Sequence, residues 1–101
     1  MTKVKIEQHN DYINSIEIKG HAMFAENGKD IVCAAISSIV FGTLNALIEF
    51  NLTEDNIIVS EAYIKIDMIN DDKLQMIVKT MIIQLQTIQE SYPDYIQILI
   101  N

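Results

Sequence analysis

Apolar and charged residues alternate from Lys3 to Glu7, with Val4 and Ile6 on one side and Lys3, Lys5 and Glu7 on the other. That is the period of a half-buried strand. His9-Asn10-Asp11 reads as a turn, after which Tyr12, Asn14, Ile16 and Ile18 share one parity and Ser15, Glu17 and Lys19 the other. The chain is therefore expected to return as the second strand of an antiparallel hairpin that ends at Gly20. Residues 22 to 29 have no period and contain Asn27-Gly28, a dipeptide that punctuates structure. Asp30 is a good N-cap, and from Ile31 the pattern turns helical. Val32, Ile36, Ile39, Leu47 and Phe50 form one stripe, which Val40, Phe41 and Leu44 widen, so this helix is expected to be largely buried. Residues 51 to 55 break the run. Residues 56 to 68 read as extended with an interruption near Glu61, giving one long strand or two short ones. Asn70-Asp71-Asp72 supplies the next cap, and Leu74, Ile77, Val78, Met81, Leu85 and Ile88 mark a second, amphipathic helix. Tyr92-Pro93-Asp94 stops it, and residues 95 to 100 form a closing strand. The order β-β-α-β(-β)-α-β predicts an α+β fold: a mostly antiparallel sheet with two long helices packed on it.

Composition narrows this picture. A chain of 101 residues forms a single domain with one modest core. Half of the residues are hydrophobic, more than so small a surface readily hides, which points to a homodimer. The formal net charge of −7 argues against direct nucleic-acid binding, which needs clustered cations, and favours a basic protein or peptide partner. No basic N-terminus leads into an apolar segment, and no uninterrupted apolar run is read as long enough to span a bilayer, so no membrane association is expected. A single cysteine can form no intramolecular disulfide, which fits the reducing cytoplasm.

That cysteine, Cys33, falls where the aperiodic loop gives way to the first helix, and His21 stands twelve positions earlier, directly after Gly20. If Asp30 caps the helix, Cys33 is its third residue, where unpaired amides and the macrodipole stabilise a negative sulfur. Such surroundings and a neighbouring imidazolium lower a thiol pKa from about 8.5 to roughly 3.5–7.5, enough to make a nucleophile at neutral pH. His21 would pair with the thiolate and protonate a leaving amine, while amides of the first turn receive an oxyanion. The same residues have plainer readings. A lone cysteine in an apolar helix is ordinarily a small core residue. The charge of Asp30 near Cys33 would oppose a thiolate, so Asp30 is more simply a cap than a third catalytic member. Ser37, one turn beyond Cys33, can bond back to a carbonyl. His9 reads as a turn residue, and His9, His21 and Cys33 lack the close paired spacing of a zinc site, so no metal is expected. A thiol redox sensor or a non-catalytic protein-binding module are the alternatives at this point.

Gly20-His21-Ala22, Ala25, Gly28 and above all the run Asp30-Ile31-Val32-Cys33-Ala34-Ala35-Ile36-Ser37 resemble the signature of the ribosomal-processing cysteine protease (Prp) family. The resemblance implies a small cytoplasmic homodimer that needs no cofactor. It implies removal of a short N-terminal extension from large-subunit ribosomal protein twenty-seven of the bacterial series during ribosome assembly. It makes His21 the base and Cys33 the nucleophile, with Gly20 as a hinge and Asp30 and Ser37 in support. Residues 22 to 29 would then form a substrate loop and gate, including Ala22, Met23, Phe24 and Gly28, with Met23 and Phe24 offering an apolar slot. A basic ribosomal tail suits an acidic enzyme. A non-catalytic ribosome-assembly module remains the alternative within this setting.

Overall fold

The computed structural model describes residues 1–20 and 31–101. Strands β1 (Thr2–His9) and β2 (Tyr12–Lys19) form the expected hairpin. Its turn is made by Asn10, whose positive φ of 56° is one that asparagine tolerates. Helix α1 (Ile31–Glu49) follows, then a single 3-10 turn (Glu54–Asn56), two short strands β3 (Ile57–Ser60) and β4 (Tyr63–Asp67), helix α2 (Asp72–Ser91) and strand β5 (Ile96–Ile100). The interruption expected near Glu61 is the β3–β4 turn, where Ala62 takes a φ of 55°.

The strands lie in the order β3-β4-β2-β1-β5. All neighbours are antiparallel except β1 and β5, which run parallel. Both helices are therefore crossovers. β2 and β3 point the same way with β4 between them and α1 joining them; β4 and β5 point the same way, with α2 carrying the chain over β2 and β1. Parallel strands require such connections. Val4, Ile6, Ile16, Ile18, Ile64, Ile66 and Ile96 line the covered face of the sheet, and Val32, Ile36, Val40, Leu44 and Leu47 of α1 join Leu74, Val78, Met81 and Leu85 of α2 over them in one core. Each such side chain contributes about 1.5–3 kcal/mol on full burial.

Three readings of the pattern need correction. In β2 the core residues are Ile13, Ile16 and Ile18, while Asn14 is exposed. The register against β1 slips by one residue between Glu7 and Gln8, so that parity does not run unbroken from Tyr12 to Ile18. A bulge of this kind turns the strand over locally. It is held by Gln75 of α2, whose side chain accepts from the Ile13 N–H at 2.9 Å and donates to the carbonyls of Ile13 and Ile69 at 3.0 and 3.1 Å.

The second correction concerns α1. Its apolar composition made a largely buried helix the expectation, yet the buried residues are Val32, Ile36, Val40, Thr43, Leu44 and Leu47, a single stripe. Phe50 is off that stripe and 51% exposed, because the helix has already ended. The Leu52 N–H bonds to the Leu47 carbonyl at 2.9 Å and the Asn51 N–H to that of Ile48 at 3.0 Å, around Asn51 at φ 79°. This is a Schellman closure with asparagine in the left-handed position, sealed by buried Leu47 and Leu52. The third correction follows from the same helix. By length and composition α1 is long and apolar enough to cross a membrane, contrary to the reading of the sequence; in this fold its apolar stripe is packed on the sheet.

Candidate active site

The crossover topology decides which residues share an end of the molecule. β2 finishes at Lys19, and α1 must start from that end in order to deliver β3 parallel to β2. The pairing of Lys3 with Lys19 puts the beginning of β1 there too, and the pairing of Thr2 with Ile96 adds the beginning of β5. The first turn of α1, with Cys33, thus belongs to the same end of the sheet as Gly20, Thr2 and the β3–β4 turn. His9 pairs with Tyr12 at the opposite end of the hairpin, about 20 Å away by strand rise.

Cys33 is the third residue of α1, half-buried and packed against the core. The helix places no acidic residue in its first turn, so nothing within α1 opposes a thiolate there. The partial positive charge at the start of a helix favours an anion. Ser37 stands one turn later, also half-buried. Its place on the same side of α1 as Cys33 is as the helical spacing requires.

Gly20 is held from two sides. Its N–H donates to the Ala62 carbonyl at 3.1 Å, and its φ is 127°, in the region that favours glycine. A Cβ built there would lie 2.4 Å from the Met1 carbonyl oxygen and 3.0 Å from the Thr2 Cα. The need for glycine is therefore steric as well as conformational. β1 cannot simply retreat, because the Thr2 N–H is bonded to the Tyr95 carbonyl at 2.9 Å. Met1, Thr2 and Ala62, which surround Gly20, were not marked by the sequence.

His21, Ala22, Met23, Phe24, Gly28 and Asp30 lie outside the described residues, and so do the expected substrate loop and the expected N-cap. Among the described residues no cluster of His, Cys, Asp and Glu is arranged to hold a metal ion.

The uncovered face of the sheet carries the ionic side chains near this end. Lys19 Nζ lies 3.7 Å from Glu17 Oε2 and 5.7 Å from the centre of the Tyr63 ring. The Tyr63 hydroxyl donates to Glu17 Oε2 at 3.3 Å. Burial, then the charge of Glu17 and this hydrogen bond, raise the phenol above its ordinary value of 10.0. These groups stand on the side of the sheet away from the helices and brace β2 against β4 just before Gly20.

Comparison with known proteins agrees with this architecture. Residues 1–97 match the family model described as cysteine protease Prp. A protein of Mycoplasma genitalium named ribosomal processing cysteine protease Prp is 43% identical over 102 residues, covering 97% of this chain and 94% of its own length. Its namesake in Bacillus subtilis is 35% identical over 101 residues, covering 92% and 90%. The crystal structure of the ribosomal processing protease Prp from S. aureus, in complex with a covalently linked product peptide, superposes with a TM-score of 0.89 at 32% identity over the whole of both chains. This chain belongs to the cysteine protease Prp family and is a peptide hydrolase.

Proposed function

We propose that this protease removes the short N-terminal extension of large-subunit ribosomal protein twenty-seven during ribosome assembly, with Cys33 as nucleophile and His21 as base. The observation that carries the reading is the position of Cys33: the one cysteine of a cysteine protease, in the first turn of α1, at the end of the sheet where the chain leaves Gly20 for His21. The relatives' names, which speak of ribosomal processing, support the substrate class. The net charge of −7 suits a basic tail.

The thiolate of Cys33 attacks the scissile carbonyl, and the amides of the first turn of α1 receive the oxyanion. The imidazolium of His21 gives its proton to the leaving amine as the C–N bond breaks, leaving the N-terminal fragment as a thioester on sulfur. Neutral His21 then takes a proton from water, the hydroxide adds to the thioester, and the departing sulfur leaves as thiolate with the imidazolium restored beside it. Gly20 and Ser37 serve as supporting residues, Asp30 as the helix cap, and Ala22, Met23, Phe24 and Gly28 as the peptide-facing loop. The enzyme works in the cytoplasm as a homodimer, in keeping with its single cysteine and with the exposed Phe50, Ile58 and Val59.

Acid quenching during turnover of a tail peptide tests the covalent route. Intact-mass analysis should find the N-terminal fragment attached to the protein, and fragmentation should place it on Cys33. Turnover with no adduct, or with one elsewhere, would overturn this assignment.

A further inference from the structure

Helix α1 carries no charged residue from Ile31 to Ile48, yet most of it is not buried within one chain. Its outward side, with exposed Ser38, Gly42 and Asn45, runs beside the outward side of α2, where Met76 and Ile83 are 70% and 62% exposed. Between the helices lies a groove of about 380 Å³ to which Ser38, Gly42, Ile77, Thr80 and Gln84 contribute, and no described residue lining it is charged. Thr80 and Thr87 turn their hydroxyls to the carbonyls of Met76 and Ile83 at 2.8 and 2.9 Å, so their polar groups are satisfied inside the helix. Gly42 adds an independent observation. It stands near the middle of α1, where glycine is less stable than alanine, and a Cβ built on it would meet nothing within 4 Å. No described contact within the chain calls for glycine there; the close approach of a second backbone does.

We propose that the outward face of α1 and α2 is where two copies of this chain meet, helix layer against helix layer, with the sheets outermost. This deepens the homodimer of the reading above and rests on it. Charge selects a second copy as the occupant. Two chains of net charge −7 repel unless they meet where carboxylates are absent. The open face of the sheet carries Glu7, Glu17 and Asp67, and Glu54, Asp55 and Glu61 flank the exposed Ile58 and Val59 of β3, so either contact would set acid against acid. The helix face has no such groups between its ends, and the same patch on both copies gives the closed twofold contact of an isologous dimer. Helices of 19 and 20 residues present a face about 30 Å long and about 20 Å wide, of the order of the roughly 800 Å² per partner that a stable interface buries.

Sedimentation equilibrium of the full chain, without substrate, tests this with Gly42→Glu, Thr80→Glu and Val59→Glu. The first two bring a carboxylate to the groove from α1 and from α2 at exposed positions, and the third brings one to the β3 edge. The parent and Val59→Glu should run at about twice the 11.5 kDa chain mass. Gly42→Glu and Thr80→Glu should run at chain mass with cooperative unfolding, their association weakened about 100-fold or more. A dimer retained in either folded groove variant would overturn the proposal, as would a monomeric Val59→Glu, or failure of both groove variants to fold, which makes the face structural. A parent that is monomeric in buffer but floats with phosphatidylcholine–phosphatidylglycerol vesicles would give the face to a lipid surface and overturn it too. Cleavage is read separately: a parent that dimerises through this face but leaves the ribosomal tail whole removes the proteolytic assignment alone, and a monomeric parent that cuts the tail removes this proposal alone.

Discussion

At Gly20 a single hydrogen atom in place of a side chain lets β2 end against the first residues of β1. Gly20→Ala should lose about 1–3 kcal/mol in chemical denaturation, because it combines an unfavourable φ with a contact to the Met1 carbonyl. Its cleavage rate should fall as well; a variant as stable as the parent would show that β1 yields freely. Ala62 is the opposite case, an alanine at φ 55° whose carbonyl receives the Gly20 N–H. Ala62→Gly should relieve about 1 kcal/mol of backbone strain and raise the melting temperature. Tyr63 gives a pH probe nearby. Since its folded phenol is raised above 10.0, the neutral form is favoured by folding; that contribution is present below pH 10 and is lost as pH rises through the folded value. Absorbance titration, corrected with Tyr63→Phe, should show the midpoint moving down in Glu17→Gln. Of these residues the sequence marked Gly20 as the end of a strand, but the contact with Met1 joins positions nineteen apart and no local pattern shows it.

At the scale of elements, the caps and periods were readable because their physics is local. Asp71 caps α2 as expected, accepting from the Leu74 N–H at 3.0 Å. Asp71→Ala should cost about 0.5–2 kcal/mol in equilibrium unfolding while leaving cleavage intact, since α2 begins far along the chain from the thiol; lost cleavage in a folded variant would contradict that separation. The stripe of α1 was legible as helix but not in its burial. Composition alone does not say that Ser38, Gly42 and Asn45 would face outward on a helix otherwise made for a core. The bulge in β2 was also hidden, because it depends on Gln75, which reaches back across more than sixty residues to Ile13.

For the whole molecule, the element order was legible and the strand order was not. Alternating parity says that a strand has one dry face but not which strand lies beside it. The parallel pairing of β1 with β5 became visible only in the structure, and with both crossovers it explains why the start of β1, the end of β2 and the first turn of α1 meet at one end. The place of the single cysteine at a helix start was legible, and Cys33 is the third residue of α1; its role as nucleophile is the proposal made above. The proposed dimer should appear in sedimentation equilibrium as about twice the 11.5 kDa chain mass, and a single species at chain mass would contradict it. The most direct measurement is the intact mass of tailed ribosomal protein twenty-seven after incubation with this protein or with its Cys33→Ala variant. The parent should shorten the substrate by one N-terminal fragment, and the equally folded variant should leave it whole. A substrate left whole by the folded parent, or shortened as fast by the variant, would contradict the assignment of Cys33 as the nucleophile of a ribosomal-protein protease.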